Sequence, residues 1–109
     1  MKELQKKAVA FRDERNWQQF HKPKDLALSL SLEASELLEL FQWKTDEEAL
    51  AENHQDMQDE LADVVIYALL IAEATNIDLY DAIENKIKKN GLKYPVEKAS
   101  GSRVKYTEL

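Results

Sequence analysis

The sequence predicts an all-α fold, a four- to five-helix bundle with an extended C-terminal arm, on three observations. Two glycines and two prolines in 109 residues are too few for a many-turned all-β chain or a glycine-rich nucleotide loop, and they favour long helices. Apolar residues fall on helical faces within segments bounded by capping residues. With 44% hydrophobic residues and no cysteine, the chain has material for a core without disulfides, which also removes a thiolate metal site and a cysteine nucleophile. One domain over residues 1–109 is expected. No apolar run approaches the ~20 residues that span a bilayer. Met1-Lys2-Glu3-Leu4-Gln5 leads into charged sequence rather than an apolar signal segment, so a soluble cytoplasmic protein is expected.

A first helix is predicted from Lys2 to Asn16, with Leu4, Ala8 and Phe11 on one side. Trp17 to Pro23 breaks the pattern. Pro23 suits the first turn of a second helix, which starts near Lys24 or Asp25 and runs to Gln42. Thr45-Asp46-Glu47-Glu48 reads as a capping box for a short third helix. A long helix is expected from His54 to Thr75, with Asn76 as its stop. Asp78 caps a last helix to Asn90, with Gly91 at its exit, and Leu92 to Leu109 forms the arm. The long helix contains Val64 to Ala72, nine residues without charge, which cover its whole circumference and must be enclosed on every side. One chain supplies only three other substantial helices, the first rather polar. A second copy is therefore inferred, making an obligate homo-oligomer; the alternative is a compact monomeric bundle.

The net charge of −6 is strongly segregated. Residues 1–24 carry seven Lys/Arg against three acids, residues 25–85 one lysine (Lys44) against sixteen acids, and residues 86–109 seven Lys/Arg against two acids. This pattern does not suit a nucleic-acid binder, which needs a basic face. It suits a cation site with basic groups available for an anion, or, more simply, solvated acidic helix faces. The direction of the acids decides between them.

On the second helix Glu36 falls about 60° from Glu33, and Leu26, Leu30, Leu32, Leu37 and Leu40 surround the pair. On the long helix Asp63 lies about 60° from Glu60, flanked by Met57, Val64 and Leu70. All four carboxylates interrupt faces that patterning would make apolar. Burying them together is costly without partners, and residues 25–85 offer only Lys44. A metal ion resolves the conflict; a partly hydrated bundle surface is the other solution. Glu-x-x-His, the pattern of iron and manganese bundles, is absent. All-oxygen ligation suits Mg²⁺ first and Mn²⁺ second, and magnesium keeps positions open for water and phosphates. Phosphoryl or pyrophosphoryl chemistry follows. Trp17 and Trp43 lie outside helix interiors, where an indole can stack on a base or simply fill the core. Tyr67 stands one turn after Asp63 on the same face. Glu39, at the margin, is a candidate water-activating base or an exposed surface acid. His21 and His54 have no nearby nucleophile in the sequence.

Glu33-Ala34-Ser35-Glu36 with Glu60-Leu61-Ala62-Asp63 resembles the Glu-x-x-Glu and Glu-x-x-Asp signature of the MazG-like all-α nucleoside triphosphate pyrophosphohydrolases. Phe11 to Trp17, Gln19 to Lys24, Glu39 to Trp43, Lys86-x-x-x-Asn90, Lys93 to Val96 and Lys105 to Leu109 extend the likeness over nearly the whole chain, most closely to the dCTP pyrophosphatase branch. Gly91-Leu92 and Lys98 to Gly101 depart from the pattern. The resemblance implies hydrolysis of a (deoxy)nucleoside triphosphate, dCTP or a modified dCTP first, to the monophosphate and pyrophosphate. It implies Mg²⁺ on Glu33, Glu36, Glu60 and Asp63, with Mn²⁺ able to substitute. It further implies substrate contacts from Lys86, Asn90 and Lys93, Tyr67 near the deoxyribose, and Trp17 and Trp43 lining the base pocket. Homodimers or tetramers of two dimers are implied, acting on a small nucleotide without nucleic acid or membrane. The alternatives are the same reaction with dATP, dUTP or broad non-canonical specificity, or a catalytically inert helical interaction module.

Overall fold

The computed structural model describes all 109 residues and is all-α. The chain divides into Met1–Ile77 and Asp78–Leu109.

In the first part, α1 (Lys2–Glu14) is closed by Asn16, which takes the left-handed conformation at φ 55°. The turn lets the Trp17 N–H reach back to the Arg12 carbonyl at 3.1 Å, and the Asn16 N–H to Asp13 at 3.1 Å. These two bonds satisfy carbonyls that a helix end otherwise leaves unpaired. A single 3-10 turn, Gln18–Phe20, follows. It leads into α2 (Pro23–Glu39), with Pro23 in the first turn after an extended Lys22. The sequence places the end of α2 at Gln42. Instead Leu40, Phe41 and Gln42 donate to carbonyls three residues back (Leu37, Leu38 and Glu39), so the last turn tightens out of α geometry.

The expected short third helix and long fourth helix are one element, α3 (Asp46–Ala74), bent at Asn53 (φ −120°, ψ 19°). Neither Pro nor Gly lies between Thr45 and Thr75, so nothing in the chain ends the helix there. The Asn53 amide leaves the helical pattern and donates to the Leu40 carbonyl at 2.8 Å, tying the bend to the end of α2. Thr45 makes both bonds of its capping box with Glu48, each 3.1 Å. Asn76 (φ 56°) closes α3 as Asn16 closes α1, with the Ile77 N–H on the Ala72 carbonyl at 2.9 Å.

Packing centres on α3. α2 lies alongside it, with Leu40 at Asn53 and Glu33 at Glu60, and α1 meets its C-terminal part through Leu69 and Glu73. Leu26, Ala49, Leu69, Leu70 and Ala72 are buried. Arg12 is buried too, its guanidinium held by Glu73 at 2.8 Å and Asp13 at 2.9 Å, and Gln5 donates to the Leu69 carbonyl at 3.1 Å. Val65 and Ile66 on α3 and Leu28 and Leu32 on α2 remain exposed, so one chain does not enclose the uncharged stretch of α3. No helix is long and apolar enough to cross a membrane.

In the second part, Asp78 caps α4 (Leu79–Lys93) by accepting from the Asp81 N–H at 3.1 Å. The helix passes the expected stop at Asn90 and continues through Gly91. The segment after it is not wholly extended, as the sequence suggests: Pro95 opens a one-turn helix α5 (Val96–Ala99), and Tyr106–Glu108 form a 3-10 turn. Tyr94 meets Tyr106 edge-to-face at 6.0 Å, and the Lys93 ammonium lies 4.9 Å from the Tyr106 ring centre.

Candidate active site

α2 and α3 lie side by side, and each has acids one turn apart on the facing surface. Glu33 and Glu36 from α2 and Glu60 from α3 each present a carboxylate oxygen, all within 4.8 Å of one another. Such a group repels itself unless a proton or a cation sits among it. Glu33 Oε2 and Glu60 Oε2 are sealed from solvent and have no hydrogen-bond partner in the chain. Desolvation, then Glu60 and Glu36 beside it, push the Glu33 carboxyl up to about 7. When Glu33 carries its proton it can donate to Glu60 and pull that carboxyl down, but desolvation, Glu36 and the charge of Asp63 outweigh this, and the net shift of Glu60 is upward. No basic side chain relieves the cluster: Lys44, the one lysine between Asp25 and Asn85, pairs with Glu52. Orphaned carboxylate oxygens and an all-oxygen donor set fit a hard divalent cation. Asp63 stands one turn along α3, outside the group of three. Its charge nonetheless acts on both Glu33 and Glu60.

Beside the cluster lies a cavity of about 690 Å³ walled by α1, the residues on either side of the 3-10 turn, Glu33 of α2, and α3, within the size range of small-molecule sites. Glu33, Asp63 and Tyr67 line it together with Phe11, Trp17 and His21. Local structure explains the aromatic end. Closure of α1 at Asn16 brings Trp17 edge-on to Phe11, ring centres 5.9 Å apart. Arg15 stacks over the other ring partner, its guanidinium 3.6 Å from the Phe11 centroid. The 3-10 turn between Trp17 and His21 delivers both rings to the same cavity.

The structure therefore brings together Glu33, Glu36 and Glu60, and places Glu33, Asp63, Trp17 and Tyr67 on one cavity. It does not bring in Trp43. That side chain is 93% exposed on the loop after α2, with its backbone in the left-handed region at φ 62°, an unfavourable conformation for a bulky residue. Glu39 is an exposed acid at the end of α2. Lys86, Asn90 and Lys93 share one exposed face of α4 at spacings of four and three. Phe11, Arg12 and His21 belong to the cavity wall although the sequence reading gave none of them a place in the site. The Trp17-to-His21 spacing across a tight turn is the signal that was available.

The MazG-like family model matches residues 28–109. The dCTP pyrophosphatase 1 proteins of Rattus norvegicus and Homo sapiens are each 40% identical to the chain over 114 aligned positions, covering all of this chain and 67% of theirs. A crystal structure of a pyrophosphatase from Archaeoglobus fulgidus superposes with a TM-score of 0.81 at 40% identity, covering 87% of this chain and 92% of that one. By family match, by full-length similarity and by fold, the chain belongs to the MazG-like family.

Proposed function

We propose that the chain is a nucleoside triphosphate pyrophosphohydrolase of the cytoplasm. It cleaves a deoxynucleoside triphosphate, dCTP or a modified dCTP first, to the monophosphate and pyrophosphate, using Mg²⁺ held by Glu33, Glu36, Glu60 and Asp63. The observation that carries this reading is the three-carboxylate cluster, with its orphaned oxygens, beside an aromatic cavity of nucleoside size. Similarity to dCTP pyrophosphatases supports the reaction and the choice of base.

Bound there, magnesium supplies neutralisation of the triphosphate charge and a lower pKa for water. The chain supplies the rest. Glu33, Glu36 and Glu60 converge from two helices linked by the Asn53–Leu40 tie, so the ligand oxygens are gathered before any cation arrives. Trp17 and Phe11 offer the base an aromatic wall fixed by their mutual contact and by Arg15. Tyr67 flanks Asp63 one turn along α3 and packs against the sugar. Lys86, Asn90 and Lys93, which share one face of α4, are assigned phosphate contacts on the family likeness alone. Exposed Val65, Ile66, Leu28 and Leu32, and an exposed Trp43 in a costly backbone conformation, support a homo-oligomer in which a second copy covers these residues and Trp43 completes a base pocket.

A panel of canonical and modified nucleoside triphosphates, incubated with the protein and Mg²⁺, tests the reading. Pyrophosphate release is expected, fastest from cytosine deoxynucleotides, with Mn²⁺ substituting and Ca²⁺ supporting little activity because it prefers longer bonds and more ligands. No turnover of any member would establish the inert interaction module instead.

A further inference from the structure

Trp43 stands on the loop between α2 and α3, almost wholly exposed, with its backbone left-handed at φ 62°. For a bulky residue that conformation is costly and persists only where the surroundings impose it. Three ties do so here. The Asn53 amide donates to the Leu40 carbonyl at 2.8 Å. The Lys44 ammonium pairs with Glu52, the residue before Asn53, at 2.5 Å. Thr45 closes the far end of the loop through its capping box. Between these points the N–H groups of Leu40, Phe41, Gln42 and Lys44 each donate three residues back, at 3.0–3.2 Å, so the loop is a run of tight turns. The lysine pair is partly exposed, where such pairs contribute little, and the capping box serves α3 itself. Asn53 is different. It is half-buried and leaves helical geometry (φ −120°, ψ 19°) with no proline or glycine nearby to require it. A helix bend needs a specific cause, and here the cause is the bond to a carbonyl that the end of α2 leaves unpaired.

We propose that Asn53 is a positioning residue: by bending α3 and bonding the Leu40 carbonyl, it fixes the loop that presents Trp43. The proposal rests on reading Trp43 as a wall of the base pocket completed by a second copy. An indole on a mobile loop loses conformational freedom when it meets a ligand, whereas one held in place beforehand does not, so the tie strengthens binding without touching the nucleotide. Asn53 lies outside both the carboxylate cluster and the cavity lining. Its effect therefore belongs to KM, through Trp43, whereas a disturbance of the acids would appear in kcat and in the Mg²⁺ requirement.

Asn53→Ala removes the donor and suits a straight helix, so the chain should fold; Asn53→Gln keeps an amide donor on a longer arm. In a Trp17→Phe background Trp43 is the single indole, and its time-resolved fluorescence anisotropy reads the loop. Asn53→Ala should enlarge the fast, local component of the decay, and Asn53→Gln should restore part of it. With both tryptophans present, Asn53→Ala should raise KM for dCTP roughly three- to tenfold, a fraction of what a stacked base contributes, with kcat within about twofold. Trp43→Ala should raise KM at least as much, and adding Asn53→Ala to it should raise KM no further, because the two changes remove one interaction. Unchanged Trp43 anisotropy in Asn53→Ala, a loss confined to kcat, or equal KM penalties with and without Trp43 would overturn the proposal. The cycle also separates it from the reading beneath. A large Trp43→Ala effect that is independent of Asn53 keeps Trp43 in the base pocket and removes Asn53 alone. An unchanged KM in Trp43→Ala removes Trp43 from the pocket and the proposal with it. The anisotropy needs no turnover, so it judges the tie separately from the hydrolysis itself.

Discussion

Glu33 keeps its proton to about pH 7 in the folded, metal-free chain and releases it near 4.5 once unfolded. Between those values the native state binds more protons than the unfolded state, so stability falls as pH rises through the interval. Melting of the protein in EDTA should therefore drop from pH 5 to pH 8, and excess Mg²⁺, which replaces the proton, should flatten or reverse that drop. A melting temperature in EDTA that climbs over the same range would show that the cluster is not self-repulsive. Glu33→Gln keeps the side-chain shape and removes the charge. Its metal-free form should melt at or above wild type at pH 8, Mg²⁺ should lose most of its stabilising effect, and activity should fall by about a hundredfold or more, as when one electrostatic stabiliser is removed from a site. Glu36→Gln should cost comparable activity with a smaller change in the metal-free melt, because Glu36 is exposed. At this scale the sequence was informative where two acids interrupted an apolar arc. It gave His21 no place in the site, because only packing brings that ring to the cavity wall.

The helices are specified mostly by their ends. Asn16 and Asn76 take left-handed backbone to close α1 and α3, and Thr45 and Asp78 cap α3 and α4. Asn16→Val should lower stability by about 1–2 kcal/mol, the cost of a left-handed conformation for such a residue, and should weaken nucleotide binding because Trp17 loses its place against Phe11. Asn16→Gly should fold normally, since glycine adopts that conformation freely. Paired melts and tryptophan emission spectra check both. The caps were legible in the sequence because each acts on residues three or four positions away. The fusion of two expected helices into α3 was not. A bend at Asn53 depends on its amide finding the Leu40 carbonyl, a partner thirteen residues distant. The shorter α2 and the helical turns after Pro95 likewise turn on how the chain ends pack rather than on local pattern.

One chain buries five hydrophobic residues and leaves twenty-two large ones exposed, an imbalance of the kind found at interaction surfaces. The protein should sediment as a species of at least twice its 12.6 kDa monomer mass. In a Trp17→Phe variant the single remaining indole, Trp43, should emit at a shorter wavelength when associated and shift red on dilution; emission of a fully exposed indole at all concentrations would show that no second copy covers it. The trouble of enclosing α3 was legible in the uncharged run Val64 to Ala72, of which Val65 and Ile66 stay exposed, whereas the exposure of Trp43 was not, because a loop residue leaves no periodic signal. Everything at the larger scales serves one reaction. Phosphorus NMR of dCTP turned over by wild type with Mg²⁺ tests it most directly. The spectrum should show dCMP and pyrophosphate in equal amounts, with no turnover in EDTA and almost none with Glu33→Gln. Orthophosphate and dCDP as the first products, or undiminished hydrolysis by Glu33→Gln, would contradict the account.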